Sequence, residues 1–503
     1  MSRAKSIMFQ GTGSGVGKSI VTAAMCRLLS RMGAKVAPFK AQNMALNSFV
    51  TADGKEMGRA QVFQAEACGL LPDVNMNPVL LKPSADARSQ VILLGIPQEH
   101  LSARDYYKRS KEHWQVVRNA YENLAEKYDV IVIEGAGSPA EINLRDTDIV
   151  NMKMAEYAGA SVVIVSDIDR GGVFASLKGT YDLVEERYRH LIKGFLINRF
   201  RGDVSLLMPG IEMFSNMVPV PVLGVLPWFK DIHVDEEDGV FVRRLESKRV
   251  GRRDLRVCVV RLPRISNFTD FSPICLEQDV EVVLSSDPKD VLSSDIVILP
   301  GTKATTSDLE FLVKRGWRQA LDLFVREGKG VIVGICGGFQ MLGETIVDEY
   351  GTDGEPGTYH GFGLLPIETK MSSKKVLTQI KTTIFPKKLC DGGIEIEGYE
   401  IHMGKSTLRK GAYSETIRLL SSKGSELMLF DAERGVLGTY IHGVFDNDLF
   451  RRFVLNLARK RKGLSPLDES FNYKAFRRKQ FDLLADWLLE NCDTDKLLSL
   501  VGL

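Results

Sequence analysis

A glycine-rich stretch near the amino terminus constrains the fold more than any other feature of this sequence. Residues 11–19 read GTGSGVGKS, with an apolar run at 6–10 before them and a helix-like pattern at 19–32 after them. A strand, a glycine-rich loop and a helix start bring backbone N–H groups and the helix dipole to one anion. The sequence therefore predicts a phosphate-binding loop that consists of Gly11, Thr12, Gly13, Ser14, Gly15, Val16, Gly17, Lys18 and Ser19.

The last two residues of this loop have specific predicted roles. Lys18 would lie beside the β- and γ-phosphates of ATP, and the hydroxyl of Ser19 would reach Mg²⁺. Thr12 stands where the standard motif has its first glycine, and Gly11 lies one residue further out. The loop is therefore one residue longer when it is counted from Gly11. The alternative, a glycine-rich turn with an incidental lysine, leaves the flanking strand and helix unexplained.

The rest of the chain repeats an alternation of short apolar runs and helix-length segments. Apolar runs that alternate with helices predict parallel strands covered on both faces. We therefore predict an α/β fold with two doubly wound domains: an N-terminal P-loop parallel sheet in residues 1–242 and a flavodoxin-like sheet in residues 255–450. A charged linker would span 243–254, and a helical tail would span 451–503. The runs lie at 7–10, 130–133, 162–166, 194–198 and 222–226, and then at 255–262, 280–284, 296–299, 331–334 and 437–441.

The charge composition argues against two classes of binding partner, nucleic acids and anionic membranes. The 66 Lys and Arg residues against 64 Asp and Glu leave a net charge of +2, which gives no general attraction for nucleic acid or for an anionic membrane. Basic clusters at 243–253 and 451–462 are interpreted as solvated surface or linker. The seven cysteines are scattered, without a CxxC pair, and no apolar stretch is long enough for a signal core or a membrane span. We expect a cytoplasmic protein without nucleic-acid or membrane partners, and homo-oligomerisation is left open.

Acidic residues follow two of the predicted parallel strands. Glu134 ends the strand at 130–133, so its carboxylate would lie at the carboxyl edge of the sheet, next to the phosphate loop. Glu134 is therefore a candidate Mg²⁺ ligand together with Ser19. Asp167, Asp169 and Arg170 follow the strand at 162–166 in the same way. They could hold a metal or an anionic substrate, or form a structural turn.

A cysteine in the second domain has the surroundings of a nucleophile. Cys336 follows the strand at 331–334 and precedes Gly337, so a sharp strand-to-helix turn could expose its thiol and favour the thiolate. His442, just past another strand, is the candidate base. The N–H groups of Gly337 and Gly301 would receive the oxyanion. A buried structural cysteine is the alternative.

The turn at residues 334–340, GICGGFQ, resembles the nucleophile turn of class I glutamine amidotransferases. Those enzymes usually carry Glu two positions after the histidine, and here that position is Val444. The residue that orients His442 is therefore not evident, and Asp446 is one candidate. This departure is shared by the cobyric acid and cobyrinic acid diamide synthases.

The phosphate loop resembles that of the dethiobiotin synthetase group. Such a domain followed by an amidotransferase domain resembles the cobyric acid synthase family, as do the stretches at 41–48, 137–144, 167–174 and 397–404. The resemblance implies ATP- and glutamine-dependent amidation, with Mg²⁺, of the b, d, e and g carboxylates of a corrinoid, adenosylcobyrinic acid a,c-diamide. By residue type and position, candidate substrate contacts are Lys40, Gln42, Asn43, Asn47, Lys82, Asp167, Asp169, Arg170 and Arg199.

Three alternatives stay open at this point. One is a related carboxylate amidotransferase, such as cobyrinic acid a,c-diamide synthase. Another is a non-enzymatic P-loop ATPase that acts as a positioning switch, which would have no need of Cys336 and His442. A third is an inactive amidotransferase domain, because Val444 replaces the usual glutamate. Within 397–404, the roles of Tyr399, Glu400 and His402 are also open.

Overall fold

The computed structural model describes residues 4–85, 88–229, 232, 253–386, 392–409, 416–422, 424–468 and 471–503. These residues form two compact units. The first comprises described residues within 1–51, 55–237 and 475–503, and the second comprises described residues within 52–54 and 238–474. The predicted linker and the basic cluster at 243–253 lie outside the described residues, apart from Arg253 and Asp254. No helix in the described ranges is long and apolar enough to cross a membrane.

A six-stranded parallel sheet forms the centre of the first unit, with the strand order β12-β11-β10-β1-β9-β2. A four-stranded sheet, β3-β6-β7-β8, and a hairpin, β4-β5, accompany it. The strands are β1 (Lys5–Gly11), β2 (Val36–Phe39), β3 (Gln42–Met44), β4 (Ser48–Val50), β5 (Glu56–Gly58), β6 (Val79–Ala85), β7 (Arg88–Leu93), β8 (Ile96–Ser102), β9 (Val130–Glu134), β10 (Ser161–Asp167), β11 (Ile192–Phe200) and β12 (Val222–Pro227).

Helices connect these strands. Two of the helices, at 103–108 and 110–125, meet at Arg109, and short 3₁₀ helices lie at Val74–Met76, Ile142–Thr147 and Val204–Leu206. The α-helices are α1 (Lys18–Arg31), α2 (Arg59–Ala67), α3 (Ala103–Lys108), α4 (Ser110–Ala125), α5 (Met152–Ala158), α6 (Val173–Leu183), α7 (Glu186–Arg189) and α8 (Met208–Ser215).

The central sheet is apolar on both faces because successive residues of a strand point to opposite sides. In β1, Met8 belongs to one apolar core, whereas Ile7 and Phe9 belong to another. In β9, Ile131 and Val132 divide in the same way. Both faces of the sheet are therefore covered, and the predicted doubly wound architecture of this unit is confirmed.

The second unit contains a seven-stranded sheet with the order β14-β13-β15-β16-β23-β22-β21. Its first five strands run parallel, and at one edge β22 pairs antiparallel with both β23 and β21. A second, five-stranded sheet with the order β18-β17-β19-β20-β24 contains a long hairpin that the apolar pattern did not predict. The strands are β13 (Leu255–Val260), β14 (Val280–Ser285), β15 (Ile296–Leu299), β16 (Val331–Ile335), β17 (Thr345–Asp348), β18 (Gly357–His360), β19 (Ile367–Ile384), β20 (Ile394–Leu408), β21 (Thr416–Leu420), β22 (Glu426–Asp431), β23 (Val436–Thr439) and β24 (Ile441–His442).

In this unit most of the α-helices lie between successive parallel strands along the chain. Short 3₁₀ helices lie at Phe268–Phe271, Ile274–Leu276 and Val444–Asp446. The α-helices are α9 (Lys289–Leu292), α10 (Thr305–Lys314), α11 (Trp317–Glu327), α12 (Gly337–Leu342) and α13 (Asp448–Arg461).

The interpretation of the basic cluster at 451–462 as solvated surface or linker is wrong. These residues form most of α13, in which Arg451 is fully buried. Its Nε donates to Glu277 Oε1 at 2.7 Å, and Arg459 donates to Asp279 Oδ2 at 3.0 Å. A guanidinium can be buried when carboxylates compensate its charge, and the acidic partners come from a distant part of the sequence.

The carboxyl-terminal residues form two more helices, α14 (Tyr473–Asn491) and α15 (Thr494–Ser499). Residues 475–503 belong to the first unit. Asp482 pairs with Arg27 of α1 at 2.8 Å, and the indole of Trp487 donates to the Pro227 carbonyl at 3.0 Å. The tail therefore supports the helix that follows the phosphate loop.

Candidate functional site

The phosphate loop joins β1, which ends at Gly11, to α1, which begins at Lys18. Gly17 adopts a φ of 103°, and a Cβ atom there would lie 2.1 Å from Asn198 Nδ2. Only glycine fits this position, because both the backbone angle and the space exclude a side chain. Asn198 Nδ2 also donates to the Val16 carbonyl at 2.9 Å, so the end of β11 holds the loop in place. The hydroxyl of Thr12 lies 3.0 Å from that of Ser166.

The two residues with predicted phosphate and metal roles both begin α1. Lys18 Nζ donates to the Gly13 carbonyl at 2.8 Å and to the Gly137 carbonyl at 3.2 Å, so the ammonium group lies across the loop. Ser19 Oγ donates to Glu134 Oε1 at 2.7 Å. The structure therefore brings together Lys18, Ser19 and Glu134, as the sequence predicts.

Glu134 is fully buried at the end of β9 and has several polar neighbours. Lys40 Nζ donates to Oε1 at 2.7 Å, and Gln64 Nε2 donates to Oε2 at 2.6 Å. Gln61 Nε2 approaches Oε2 at 3.4 Å. Sequence reasoning did not single out the two glutamines, because nothing in the sequence connects α2 with the end of β9.

The donor set fits a magnesium ion. A hydroxyl and a carboxylate are the hard oxygen ligands that Mg²⁺ prefers, and Mg²⁺ is usually held by one or two protein groups together with substrate phosphates. Ser19 and Glu134 supply such a pair. Within the described residues, no group of three or more His, Cys, Asp and Glu side chains could form a separate metal cage.

Four of the candidate substrate residues lie at the carboxyl ends of β10 and β11. Arg199, with a φ of 60°, donates to Asp167 Oδ2 at 2.9 Å, and Arg170 lies 3.4 Å from the same oxygen. Asp169 accepts from Arg201 at 3.0 Å. A Cβ atom on Gly15 would lie 3.5 Å from an Arg170 nitrogen, so this cluster borders the phosphate loop.

Other candidates form buried internal contacts around β3 and β6. Lys82 Nζ donates to Glu56 Oε1 at 2.9 Å and to Ser48 Oγ at 2.7 Å. Asn43 Nδ2 donates to Gln61 Oε1 at 3.0 Å.

Two further amides were also predicted as substrate contacts. The Gln42 side chain accepts a hydrogen bond from the Tyr106 hydroxyl, and the backbone carbonyl of Asn47 accepts from the backbone N–H of Arg59 at 3.2 Å. A role for these two side chains in substrate binding stays a prediction.

In the second unit, Cys336 occupies a strained turn between β16 and α12. Its φ is 52° and its ψ is −106°, values that a non-glycine residue rarely adopts. The backbone N–H of Cys336 donates to the Thr439 carbonyl at 2.8 Å. The residue Cys336 is 8% exposed, and its thiol donates to the Ile401 carbonyl, with 3.6 Å between Sγ and the oxygen. This geometry is that of the predicted nucleophile turn.

The imidazole of His442 lies beside this thiol and is held by a carboxylate. Its Nδ1 lies 2.7 Å from Asp270 Oδ2, and the other carboxylate oxygen accepts from the Gly443 N–H at 2.8 Å. Burial on its own lowers the pKa of His442, but the charge and hydrogen bond of Asp270, with the contact to Cys336, outweigh burial and raise the pKa to about 10. The imidazole is therefore largely protonated at neutral pH.

The suggestion that Asp446 orients His442 is wrong, because Asp270 is the carboxylate bonded to Nδ1. Asp270 lies in the 3₁₀ helix after β13, 172 residues before the histidine. No local motif marks it, so sequence reasoning missed it.

Both glycines predicted to form the oxyanion hole border the catalytic pair. A Cβ atom on Gly301 would lie 3.1 Å from His442 Cε1. A Cβ atom on Gly337 would lie 2.8 Å from Thr302 Cγ2 and 3.3 Å from the Thr302 nitrogen. Their roles as donors to an oxyanion stay predictions.

Comparisons with known proteins agree with this two-part organisation. One family model, the CobQ/CobB/MinD/ParA nucleotide binding domain, matches residues 7–240. Another, the CobB/CobQ-like glutamine amidotransferase domain, matches residues 256–450. Cobyric acid synthase of Salmonella dublin is 46% identical over 503 residues, with 99% of this chain and 98% of the relative covered. Cobyric acid synthase of Klebsiella pneumoniae (strain 342) is 46% identical over 501 residues, with 98% of each chain covered.

The similarities to solved structures are weaker. A crystal structure of a glutamine amidotransferase is 17% identical, with a TM-score of 0.30, and the match covers 40% of this chain and 98% of that chain. The signal recognition particle receptor FtsY from Elizabethkingia anophelis in complex with GDP is 18% identical, with a TM-score of 0.28, over 46% of this chain and 59% of that chain. Structural similarities this low support no conclusion about this chain.

The fold and the site define a glutamine amidotransferase domain that is joined in one chain to a P-loop nucleotide-binding domain. With 46% identity over nearly its whole length to curated relatives, the chain belongs to the cobyric acid synthase family. It is a glutamine-hydrolysing amide ligase of cobalamin biosynthesis, as the sequence resemblance predicted. The positioning-switch alternative does not describe this chain.

Proposed function

We propose that the chain uses ATP, Mg²⁺ and glutamine to convert the b, d, e and g carboxylates of adenosylcobyrinic acid a,c-diamide to carboxamides. The observation that carries this proposal is the arrangement of Cys336, His442 and Asp270, because it supplies a nucleophile, a proton carrier and an orienting carboxylate. The residues expected to bind ATP lie in the first unit. The full-length relatives are named cobyric acid synthases, which supports a corrinoid as the substrate.

The proposed glutaminase reaction begins at Cys336. The thiolate attacks the side-chain amide carbon of glutamine, and the N–H groups of Gly337 and Gly301 receive the negative charge on the oxygen. The protonated imidazole of His442 gives its proton to the departing ammonia, which leaves a glutamyl thioester. Neutral His442 then takes a proton from water, and the hydroxide releases glutamate from the thiol.

Asp270 has two effects on this reaction. Because its Oδ2 accepts from Nδ1 of His442, Nε2 of the imidazole is directed toward the thiol. The negative charge of Asp270 also stabilises the imidazolium, which raises the pKa of His442 to about 10. The carboxylate thereby takes the place of the glutamate that class I amidotransferases usually carry two residues after the histidine.

The proposed ligase reaction takes place at the phosphate loop. A carboxylate is a poor electrophile, so transfer of the γ-phosphoryl group of ATP to the carboxylate supplies a leaving group. Lys18 and the N–H groups of the loop stabilise negative charge on the phosphoryl oxygens. Ser19 and Glu134 would hold Mg²⁺, which would supply further positive charge there when bound. Ammonia then attacks the acyl phosphate to form the amide.

The state of the cysteines bears on the cellular compartment. The described cysteines are all free thiols, as expected in a reducing compartment: Cys26, Cys68, Cys258, Cys275, Cys336 and Cys492. We therefore propose that the protein acts in the cytoplasm.

A product profile tests the proposed substrate. Purified protein is incubated with adenosylcobyrinic acid a,c-diamide, ATP, Mg²⁺ and glutamine, and the corrinoid is followed by mass spectrometry. Stepwise conversion to a species with four new carboxamides would support the proposal. In a parallel incubation with cobyrinic acid, amidation at only two carboxylates would favour the diamide synthase alternative. An unchanged corrinoid, despite hydrolysis of ATP and glutamine, would require a different carboxylate substrate.

A further inference from the structure

The stretch at 397–404 has a motif-like sequence, but the reaction described above assigns it no role. The structure places it in β20, antiparallel to β24, with Tyr399 opposite His442 and Glu400 opposite Ile441. A Cβ atom on Gly398 would lie 2.4 Å from the His442 carbonyl oxygen. A glycine is therefore needed for β20 to approach the catalytic histidine this closely.

Two residues of this strand contact the two reacting side chains directly. The ring of Tyr399 stacks on the imidazole of His442, with a centroid distance of 5.4 Å and an angle of 23° between the planes. The Ile401 carbonyl accepts from the Cys336 thiol at 3.6 Å. Any shift of β20 would therefore change the positions of both Cys336 and His442.

Glu400 and His402 alternate with these two residues and hold the strand. His402 Nδ1 lies 2.7 Å from the Gly404 carbonyl, and Nε2 lies 3.0 Å from Glu400 Oε1. Because a carbonyl can only accept, the Nδ1 N–H of His402 donates to Gly404, and Nε2 faces the carboxyl group of Glu400. Both side chains are buried. These hydrogen bonds connect residues 400, 402 and 404, which lie on both sides of Ile401, the residue whose carbonyl contacts the Cys336 thiol.

The same residues connect to the other side of the thiol. The ring of His402 stacks on that of Tyr440 at 3.8 Å, and the Tyr440 hydroxyl accepts from Gln340 Nε2 at 3.1 Å. Gln340 Oε1 accepts from Thr305 Oγ1 at 3.2 Å, and this hydroxyl lies 3.1 Å from the place of a Cβ atom on Gly337. A chain of contacts, made of hydrogen bonds and one ring stack, therefore leads from Glu400 to the surroundings of Gly337, the proposed oxyanion donor.

We propose that Glu400 and His402 are positioning residues for glutamine hydrolysis. Their hydrogen-bonded pair fixes β20 so that the Ile401 carbonyl and the Tyr399 ring hold the thiol and the imidazole in the geometry needed for attack. This inference rests on the proposed role of Cys336 and His442 in hydrolysing glutamine. A misplacement of about 1 Å can slow a reaction by about 100-fold, so an element that fixes both groups would act mainly on kcat.

The test compares Glu400→Ala, Glu400→Gln and His402→Ala in the full-length protein. Glutaminase activity is measured by glutamate release, and the rate of Cys336 alkylation by iodoacetamide is measured separately. We expect Glu400→Ala and His402→Ala to lower kcat by about 10- to 100-fold, with a change in the KM for glutamine below about threefold. Glu400→Gln should restore most of the activity, because an amide can still donate a hydrogen bond to His402 Nε2.

Controls separate positioning from folding. Glu395→Gln, on an exposed residue of the same strand, should leave kcat and the alkylation rate unchanged. Amidation with ammonium in place of glutamine should be retained in all variants, because it does not need the glutaminase site.

Four results would overturn the proposal. Three of them are a kcat within threefold of the parent in Glu400→Ala, a loss that appears in KM instead of kcat, and a loss of ammonium-dependent activity that matches the glutaminase loss. No recovery in Glu400→Gln would show that the charge of Glu400 is needed, and it would also reject positioning by the hydrogen bond. If Cys336→Ala retained glutaminase activity, the proposed function itself would fail, which is a separate result.

Discussion

Replacing Asp270 with asparagine tests how His442 is held. The carboxylate accepts from Nδ1 of His442 at 2.7 Å and from the Gly443 N–H at 2.8 Å, in a buried environment. The pKa of His442 is raised from 6.5 to about 10, although burial alone would lower it. A difference of 3.5 pKa units corresponds to roughly 5 kcal/mol between the two protonation states of the imidazole.

Without this charge, burial dominates, and the pKa of His442 in Asp270→Asn should fall below 6.5. The proton that leaves with ammonia would then be missing at neutral pH, and the amide could favour the wrong imidazole tautomer. In serine proteases the corresponding change lowers kcat by about 10⁴-fold, so we expect a loss of about 10²- to 10⁴-fold here. The KM for glutamine should change little.

The assay is glutamate release measured across pH 5 to 10. For a group whose pKa is raised in the folded protein, the proton is held below the folded pKa and lost above it. The parent should therefore keep its glutaminase activity up to pH values near 10, whereas the residual activity of the variant should fall from pH 5 upward and be largely lost by pH 6.5. Asp446→Asn is the matched control and should resemble the parent. The reasoning would be refuted if Asp270→Asn stayed within threefold of the parent while Asp446→Asn lost activity.

Two further predictions concern the phosphate loop and a half-buried carboxylate. In Gly17→Ala, a Cβ atom would lie 2.1 Å from Asn198 Nδ2 at a φ of 103°, so we expect ATP binding, measured by calorimetry, to weaken by at least about tenfold. The control is Gly179→Ala in α6, outside the loop, where a Cβ atom meets nothing within 4 Å. This variant should bind ATP like the parent, and equal affinities of the two variants would contradict the loop geometry. Burial raises the pKa of Asp353, which accepts from the Thr306 N–H at 3.3 Å, from 3.8 to about 6. Between pH 3.8 and 6 the folded state binds more protons than the unfolded state, so it loses stability as the pH rises through this range. Asp353→Asn removes this loss, so its free energy of unfolding in urea should exceed that of the parent by up to roughly 3 kcal/mol at pH 8, a gain that shrinks below pH 4. A variant less stable than the parent at pH 8 would contradict this prediction.

Features carried by contiguous residues could be predicted from the sequence. The phosphate loop at 11–19 combines a strand, glycines and a helix start within one short stretch, and Cys336 is followed at once by the small residues that its turn requires. The alternation of apolar runs and helices likewise predicted both parallel sheets. In each case the physical signal is local, so one sequence is enough to detect it.

Contacts between distant segments could not be predicted in this way. Asp270 lies 172 residues from His442, and only folding brings them together. Lys40 and Lys82 were chosen by residue type and position, but the structure places each against a buried carboxylate, Glu134 and Glu56 respectively. Sequence alone does not show whether a lysine pairs within the protein or faces a substrate.

The long hairpin of β19 and β20 was missed for a related reason. Its strands alternate buried and exposed residues and carry many charges, so they lack the continuous apolar runs that mark the parallel strands. This hairpin nevertheless brings Tyr399 and Ile401 to the catalytic pair. The role proposed for the stretch at 397–404 therefore rests on contacts that only folding creates.

The most direct test of the central claim follows nitrogen from glutamine to the corrinoid. The parent and Cys336→Ala are each given adenosylcobyrinic acid a,c-diamide, ATP and Mg²⁺, with either amide-¹⁵N glutamine or ¹⁵N ammonium. We predict that the parent transfers label from both donors and that Cys336→Ala transfers it only from ammonium. Labelled product from glutamine with Cys336→Ala would contradict the account, because glutamine would then be hydrolysed without the proposed nucleophile.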